Sequence, residues 1–378
     1  MSKVKIQGNA SGTGVVTLTA PNTNTDRTIT LPDGTDTLIG TATTDALTTR
    51  VNGAGGRKNL IINGGMEVWQ RGTTSSGGGT YRTDRFKTEP RSGTVVGWDR
   101  STDVPTGYGF SYSSRMYAPN ATDDGFHWYT SVELPSAGAY GMFEAGKQIV
   151  LSFWAKSVDG NAVTPSIRLA ENLAGSNNRS QSITPVEGAT VIPTTWTKLQ
   201  FTYTLPTWVA EAGTLNSVNC LAIRHLVGSN NTPQDIYITG IQLELGSVAT
   251  DFEHRSYGEE LALCQRYYHR VGTASSSYNY VATGGFTGGS TEIVAFVYHP
   301  VEMRVVPSLG IDNLTNMEFR MDNDTSFTMM SFTPSTSQSS TKTAGLWFGG
   351  QNTVGLGKSG FIRVRNGLSG WFSFDAEL

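Results

Sequence analysis

Cysteine is nearly missing from this chain: Cys220 and Cys264 are the only two in 378 residues. That is too few for a disulfide framework, and without CxxC spacing it excludes a thiolate zinc site, so both are expected to be reduced, buried thiols of a protein made in a cytoplasm. Charge is also scarce, at 16% against roughly 25% in an average soluble domain, which argues against long Lys/Glu-rich surface helices. The net charge of -3 and the absence of any Lys/Arg cluster leave no electrostatic footprint for nucleic acid. No run of 18 apolar residues occurs, and "MSKVKIQGNASG" at the start has no apolar stretch behind its lysines, so neither membrane insertion nor classical export is expected.

Chemistry-bearing motifs are equally sparse. His127, His225, His254, His269 and His299 show no HxH or HExxH spacing, so no metal or other cofactor is expected. His127 lies near Asp123 and Asp124, a grouping that reads as a polar turn rather than a calcium site. No G-x-S-x-G elbow is present. "GLGKSG" at 355–360 matches G-x-G-x-x-G by letter, but the strand-like "FIRVR" follows it where a nucleotide site needs a helix, and Asn352 stands where a P-loop needs Gly.

What the chain has is glycine, 44 residues of it, and alternating strand patterns. In "GVVTLTAPNTNTDRTITLPDGTDTLIG" the runs Val15 to Thr19, Thr28 to Leu31 and Thr35 to Ile39 are three short strands with turn residues between them. A unit of residues 1–40 buries too little apolar surface alone, which implies completion by identical copies. Over 41–58, Thr44 caps a short helix carrying Leu47 and Val51, and "NGAGGRK" is a flexible joint.

From 59 to 255 the pattern is all-β. In "KQIVLSFWAKSV", Ile149, Leu151, Phe153 and Ala155 fall on one face; in "TWTKLQFTYTLP", Leu199, Phe201, Tyr203 and Leu205 oppose Trp196, Lys198 and Gln200. With "VNCLAIRHLV" and "DIYITGIQLEL" the series predicts a two-sheet jelly-roll sandwich. A connecting helix is predicted over 256–271: "SYGE" fits a capping box, with Ser256 at the cap and Glu259 reaching back. Leu261, Cys264 and Tyr268 form a thin stripe on it that needs a partner surface, the threefold axis of a trimer or the neighbouring domain. Residues 272–378 return to short strands, a C-terminal β-sandwich or small barrel, with Phe372 and Phe374 of "GWFSF" pointing inward. Trp347, Phe348 and Trp371 are expected in the same core or along a trimer axis.

Several segments resemble bacteriophage tail-fibre and virion-appendage proteins: "GRKNLIINGGMEVWQRG" at 56–72, "YRTDRF" at 81–86, "GIQLELGSVATDFEHRSYGEELALCQRYY" at 240–268, the final "WFSFDAEL" and the N-terminal strand unit. "QIVLSFWAKS" and "TTWTKLQFTYTLP" are similar to carbohydrate-binding modules. The resemblance implies a homotrimeric fibre attached to a virion, on tail or capsid. An N-terminal region would contact another virion protein, and a jelly roll of carbohydrate-binding type would meet a host-surface glycan. A distal domain over 272–378 would form a receptor-binding tip.

A glycan site would use aromatic rings against sugar CH faces, with amides and carboxylates taking hydroxyl hydrogen bonds. The stretch 97–130 concentrates Trp98, Tyr108, Tyr112, Tyr117, His127, Trp128 and Tyr129 among Gly, Pro and Asp, and Trp208 follows a proline at a strand end. Of these, Trp98, Tyr108, Tyr112, His127, Trp128, Tyr129 and Trp208 are the glycan-contact candidates, the competing reading being core or interchain contact. Enzymes that depolymerise glycans in such appendages resemble long parallel β-helices, whose repeat period is not visible here, so the expectation is adhesion without catalysis. The other non-catalytic reading is a virion spacer that binds nothing.

Overall fold

In the computed structural model of the chain, the residues described are 58–76, 81–90, 97–118, 126–133, 146–158, 162–171, 179–183, 187, 190–205, 219–227, 234–272, 278–287, 292–321, 326–335, 339–350 and 359–377. The strand unit at 1–40, the short helix after Thr44 and Trp208 lie outside them, as does the side chain of Cys220. All described residues belong to one compact unit, Asp45–Leu378.

The first strands are β1 (Thr74–Ser76), β2 (Phe86–Pro90), β3 (Gly97–Ser101) and β4 (Ser113–Ala118). They are followed by β5 (Phe126–Glu133), β6 (Gln148–Ser157), β7 (Ala162–Glu171) and β8 (Arg179–Ile183). The series ends with β9 (Thr190–Val191), β10 (Thr197–Thr204), β11 (Asn219–Val227) and β12 (Gln234–Leu245). Two antiparallel sheets result: sheet A in the order β1-β3-β4-β12-β6-β10, and sheet B in the order β2-β5-β11-β7-β8, with β9 also on β7. Between them lies one apolar core. Ile149, Leu151, Phe153 and Ala155 are fully buried, as are Phe201 and Tyr203 opposite, so the alternation read in sequence is the observed inward face. Phe153 stacks on Phe201 at 5.7 Å between ring centroids.

Strand β12 departs from plain alternation. A register shift falls between Thr239 and Gln242, so Ile236, Ile238, Ile241 and Leu243 all face the core. Gly240 makes the bulge, at φ 64, and a Cβ there would meet Phe110 Cζ at 2.5 Å.

Helix α1 (Tyr257–Gln265) follows, with the Glu259 amide donating to Ser256 Oγ at 3.4 Å. The predicted cap is therefore present, but the helix stops at Gln265 rather than 271. Tyr268 stands in strand β13 (Tyr268–Val271), paired opposite Asp375, so Leu261, Cys264 and Tyr268 do not share a helical face. The run "YYHRV" favours strand, and the C-terminal strand captures it. Cys264 is fully buried and Leu261 half-buried.

The remaining strands are β14 (Asn279–Thr287), β15 (Glu292–Tyr298), β16 (Ser308–Ile311) and β17 (Met317–Met321). They continue through β18 (Ser326–Ser335), β19 (Thr343–Gly350), β20 (Ser359–Val364) and β21 (Phe372–Asp375). Of the two architectures the sequence allowed here, the closed one forms: β14-β15-β19-β18-β17-β20 is a barrel, with β13-β21-β16 as a three-stranded sheet beside it. Bulges in β14 and β18 supply the curvature. At Gly360 a Cβ would lie 2.2 Å from the Arg320 carbonyl oxygen, so only glycine lets β20 approach β17 this closely. Phe372 and Phe374 point inward and are buried, while Trp371 and Ser373 are half-buried.

Candidate functional site

Among the described residues, the motifs that carry the fibre resemblance meet at the seam between the two β assemblies. Asn63, at φ 59, is an internal clamp: its amide donates to the carbonyls of Val68 at 2.9 Å and Asp84 at 3.0 Å, and its oxygen accepts from the Val68 amide. Asp84 accepts from the Gln70 backbone at 2.6 Å and from its side chain at 2.8 Å. Burial drives the Asp84 carboxyl above the ordinary range, opposed by Arg71. The Arg71 guanidinium lies 3.5 Å from the Tyr268 ring centroid and reaches Asp375 and Glu377 at 3.4 and 3.2 Å. Arg85, 1% exposed, pairs with Glu377, donates to the Ser131 carbonyl and covers the Tyr267 ring at 3.5 Å.

The helix joins the same seam through Glu260 rather than Glu259. Glu260 is buried, accepts from the Asn63 amide and from Arg255 at 3.2 Å, and Arg255 in turn donates to the carbonyls of Asn59 and Ile61. Burial raises the Glu260 carboxyl, against the pull of Arg255. Burial also pushes the Cys264 thiol well up, which makes it an inert packing group. These residues form a fastening largely closed to solvent, with the Asp375 side chain, 41% exposed, at its rim.

The open surface is elsewhere, on the outer face of sheet A. Half of that face is covered: Gln242 and Glu244 are buried beneath the segment after β12, where Glu244 accepts from Thr250 N at 2.9 Å and Oγ1 at 2.6 Å. The other half is partly open, with Trp154, Lys156, Trp196 and Tyr237 half-buried. Because Phe153 and Ala155 point inward, Trp154 and Lys156 point out; Tyr237 stands opposite both Lys156 and Arg115, and Trp196 lies at the β10 edge. Trp196 and Tyr237 meet edge to face at 6.4 Å, and the Lys156 ammonium lies 4.8 Å from the Tyr237 ring. Tyr108 rests on Trp154 at 4.2 Å and is 52% exposed.

Polar groups on this platform are held in place. Asp103 accepts from Trp196 Nε1 at 2.8 Å and from the Lys156 ammonium. Partial burial works to raise its carboxyl, but those two hydrogen bonds outweigh it and keep the group below its ordinary value, an ionised acceptor. Arg115 and Asp235 form a two-pronged pair at 2.9 and 2.7 Å, which raises the Arg115 guanidinium. Partial burial, and then Asp235, raise the Tyr237 phenol. On the far side of the Tyr108 loop, Glu67, Ser111, Phe252, His254 and Tyr257 line a cleft of about 230 Å³. His254 Nε2 bonds the Tyr108 carbonyl at 2.8 Å, so loop and cleft are one structure.

The sequence candidates divide accordingly. Tyr108 belongs to the platform. Trp98 and Trp128, 2% and 0% exposed, are core residues and are corrected as glycan contacts: Trp98 donates to Thr83 Oγ1 at 3.0 Å, and Trp128 stacks on Phe86 at 4.8 Å. Tyr112 is half-buried against the core with Arg100 over its ring at 4.4 Å. His127 and Tyr129 are in β5, in the other sheet, and their side chains lie outside the described residues. Sequence reasoning misses Trp154, Trp196, Tyr237, Asp103, Lys156, Arg115 and Asp235 as site residues. The signal for Trp154, Lys156 and Tyr237 lies in the same alternation that places Phe153 and Ile236 inward.

No protein-family model and no curated protein matches the chain. Solved structures similar to it include a family 11 carbohydrate-binding module from Clostridium thermocellum in complex with a β-1,3-1,4-mixed-linked tetrasaccharide, at 13% identity over 47% of this chain and 98% of that one, TM-score 0.28. The CBM22-1 xylan-binding domain from Paenibacillus barcinonensis Xyn10C is similar at 12% identity over 50% and 96%, TM-score 0.29. The enzymatically active domain of bacteriophage CBA120 tailspike protein 4 is similar at 19% identity over 50% of this chain and 21% of that one, TM-score 0.29. At these scores the likenesses carry no argument about ligand or catalysis.

Proposed function

We propose that this protein is a non-catalytic bacteriophage fibre, homotrimeric and attached to the virion through its N-terminal region, which adheres to the host surface by binding glycan on the outer face of sheet A. The observation that carries the binding role is the platform of Trp154, Trp196, Tyr237 and Tyr108, interleaved with the Asp103–Lys156 and Arg115–Asp235 pairs. Rings in fixed orientations accept the apolar faces of sugar units, and ionised side chains bonded to one another still have lone pairs and N–H groups for hydroxyls. Such a surface is already ordered, so little entropy is lost when a ligand settles on it. Asp103, held below its ordinary value by its hydrogen bonds, is suited to accepting hydroxyl hydrogen bonds rather than to the general-acid role of a glycosidase, which needs a carboxyl raised toward neutrality.

The test is a host-surface glycan array and host-cell binding assay with the full chain beside a Trp196→Ala/Tyr237→Ala variant. Binding by the parent, lost in the variant with the melting temperature unchanged, is the expected result. No binding on the true host supports the spacer reading instead, and new reducing ends released from host polysaccharide overturn the non-catalytic one. The trimer is tested by sedimentation at micromolar concentration, where a mass near the single-chain 40.6 kDa would overturn it.

A further inference from the structure

The C-terminal barrel carries a second ring-bearing surface, separate from sheet A. Strand β20 is paired with β14 on one side and β17 on the other, and across them Tyr280, Arg363 and Glu318 stand directly opposite one another. Ile362 and Val364 of β20 fill the barrel interior, so Phe361 and Arg363 face outward. Here three rings remain half in solvent: Tyr278 at 49%, Tyr280 at 55% and Phe361 at 45% exposure.

These rings are not loosely scattered apolar groups. Tyr280 and Phe361 meet edge to face at 5.7 Å, and the Arg363 guanidinium lies 3.7 Å from the Tyr278 ring centroid. Arg363 also donates from Nη1 to the Tyr280 hydroxyl at 3.4 Å. The guanidinium is itself fastened beneath them, bonding Glu318 from Nε at 2.8 Å and Nη2 at 2.6 Å, with both residues buried. A buried ion pair thus holds exposed rings in one arrangement, and its charge is internally neutralised.

We infer that this face, built on Tyr278, Tyr280, Phe361 and Arg363, is a second carbohydrate-binding site, taking a short neutral segment of two or three sugar units. Size argues for a sugar over a protein: three half-exposed rings offer roughly 300 Å², since one aromatic side chain presents about 150–250 Å². A stable protein interface takes about 800 Å² from each partner. Charge argues the same way at the centre of the patch, where the Arg363 cation beneath the rings is engaged by Glu318 and is not free to attract a phosphate backbone or an acidic peptide; Arg320, opposite Phe361 on β17, stands at its edge. Sugar CH groups would lie on the Tyr280 and Phe361 rings, with hydroxyls reaching the two phenols.

The experiment uses full-length protein on an array of bacterial lipopolysaccharide and capsule oligosaccharides together with β-glucans and xylans. Three proteins are compared: the parent, a Tyr280→Ala/Phe361→Ala variant, and the Trp196→Ala/Tyr237→Ala variant of sheet A. The expected result is that the barrel variant loses, by tenfold or more, glycans that the sheet A variant keeps, with Tyr278→Ala giving a smaller loss of the same set. A barrel variant that keeps every glycan bound by the parent overturns the inference, whatever the sheet A variant does. Loss in the barrel variant alone sustains it and removes the sheet A reading, while a parent that binds nothing removes both. A lower sedimentation mass for the barrel variant would also overturn it, by showing that the rings pack against another copy of the chain.

Discussion

The seam between the two β assemblies and the open face of sheet A are made from the same side chains, arginines over tyrosine rings and carboxylates paired with cations, yet one is hidden and the other lies open to water. At the seam Arg85 and Glu377 have side chains 1% and 5% exposed; on the open face the Arg115 and Asp235 side chains are 36% and 20% exposed. Burial is what separates them. In a desolvated site each charge needs its partner, so removal of one strands the other. In a wet site the pair contributes little to folding and stays available to a ligand. Residue type therefore does not distinguish a buried fastening from an open surface; coverage by distant chain does.

That contrast can be broken at several points, of decreasing expected effect. Arg85→Ala should destabilise the unit by about 3 kcal/mol, because Glu377 then stays buried with Arg71 as its one remaining cation among the described residues. Urea unfolding followed by tryptophan fluorescence would measure it, and a cost under about 1 kcal/mol would mean the seam is solvated. Acid should act about as strongly between pH 7 and pH 5, through His269 and His299, which lie in contact at 2.7 Å and are both buried against Phe374. Burial depresses them from 6.5, His269 to about 3 and His299 to about 4. Their folded forms stay neutral while the unfolded chain takes up protons below 6.5, so stability is complete above that pH and declines as pH falls. The slope should approach about 1.4 kcal/mol per pH unit for each histidine. Melting curves at pH 7 and pH 5 would show it, and His299→Gln should flatten the dependence.

On the open face, Trp196→Ala should leave folding within about 1 kcal/mol of the parent while weakening glycan binding by about 2 kcal/mol, some thirtyfold. Calorimetric titration against the best array ligand, beside a urea melt, checks both halves of that statement. The smallest effect is at the helix start, where Ser256→Ala should cost about 1 kcal/mol through loss of the cap on Glu259 N. It is read as a shift in the urea midpoint, and a shift as large as that of Arg85→Ala would mean the helix is a keystone of the seam.

Much of this architecture is legible in the order of residues. The inward sets Ile149 to Ala155 and Leu199 to Leu205, the inward turn of Phe372 and Phe374, and the Ser256 cap all follow from local rules of period two and helix-end hydrogen bonding. The candidate site is less legible. The aromatic density of 97–130 points to Trp98 and Trp128, whose register in β3 and β5 turns them into the core. The platform rings Trp154, Trp196 and Tyr237 come from three separated segments that only strand pairing brings side by side. Tyr268 reads as helical in sequence because its strand exists only through pairing with β21, more than a hundred residues later.

Periods, turns, the helix cap and the all-β class were written into the chain locally, because each depends on neighbours within a few residues. Folding in three dimensions was needed to close the C-terminal strands into a barrel and to make Glu260, not Glu259, the buried carboxylate. It was needed too for the charges of the seam to be hidden while similar ones on sheet A stay open. The physical reason is that desolvation is a long-range property: whether a charge or a ring meets water is set by chain segments far away in sequence that happen to cover it.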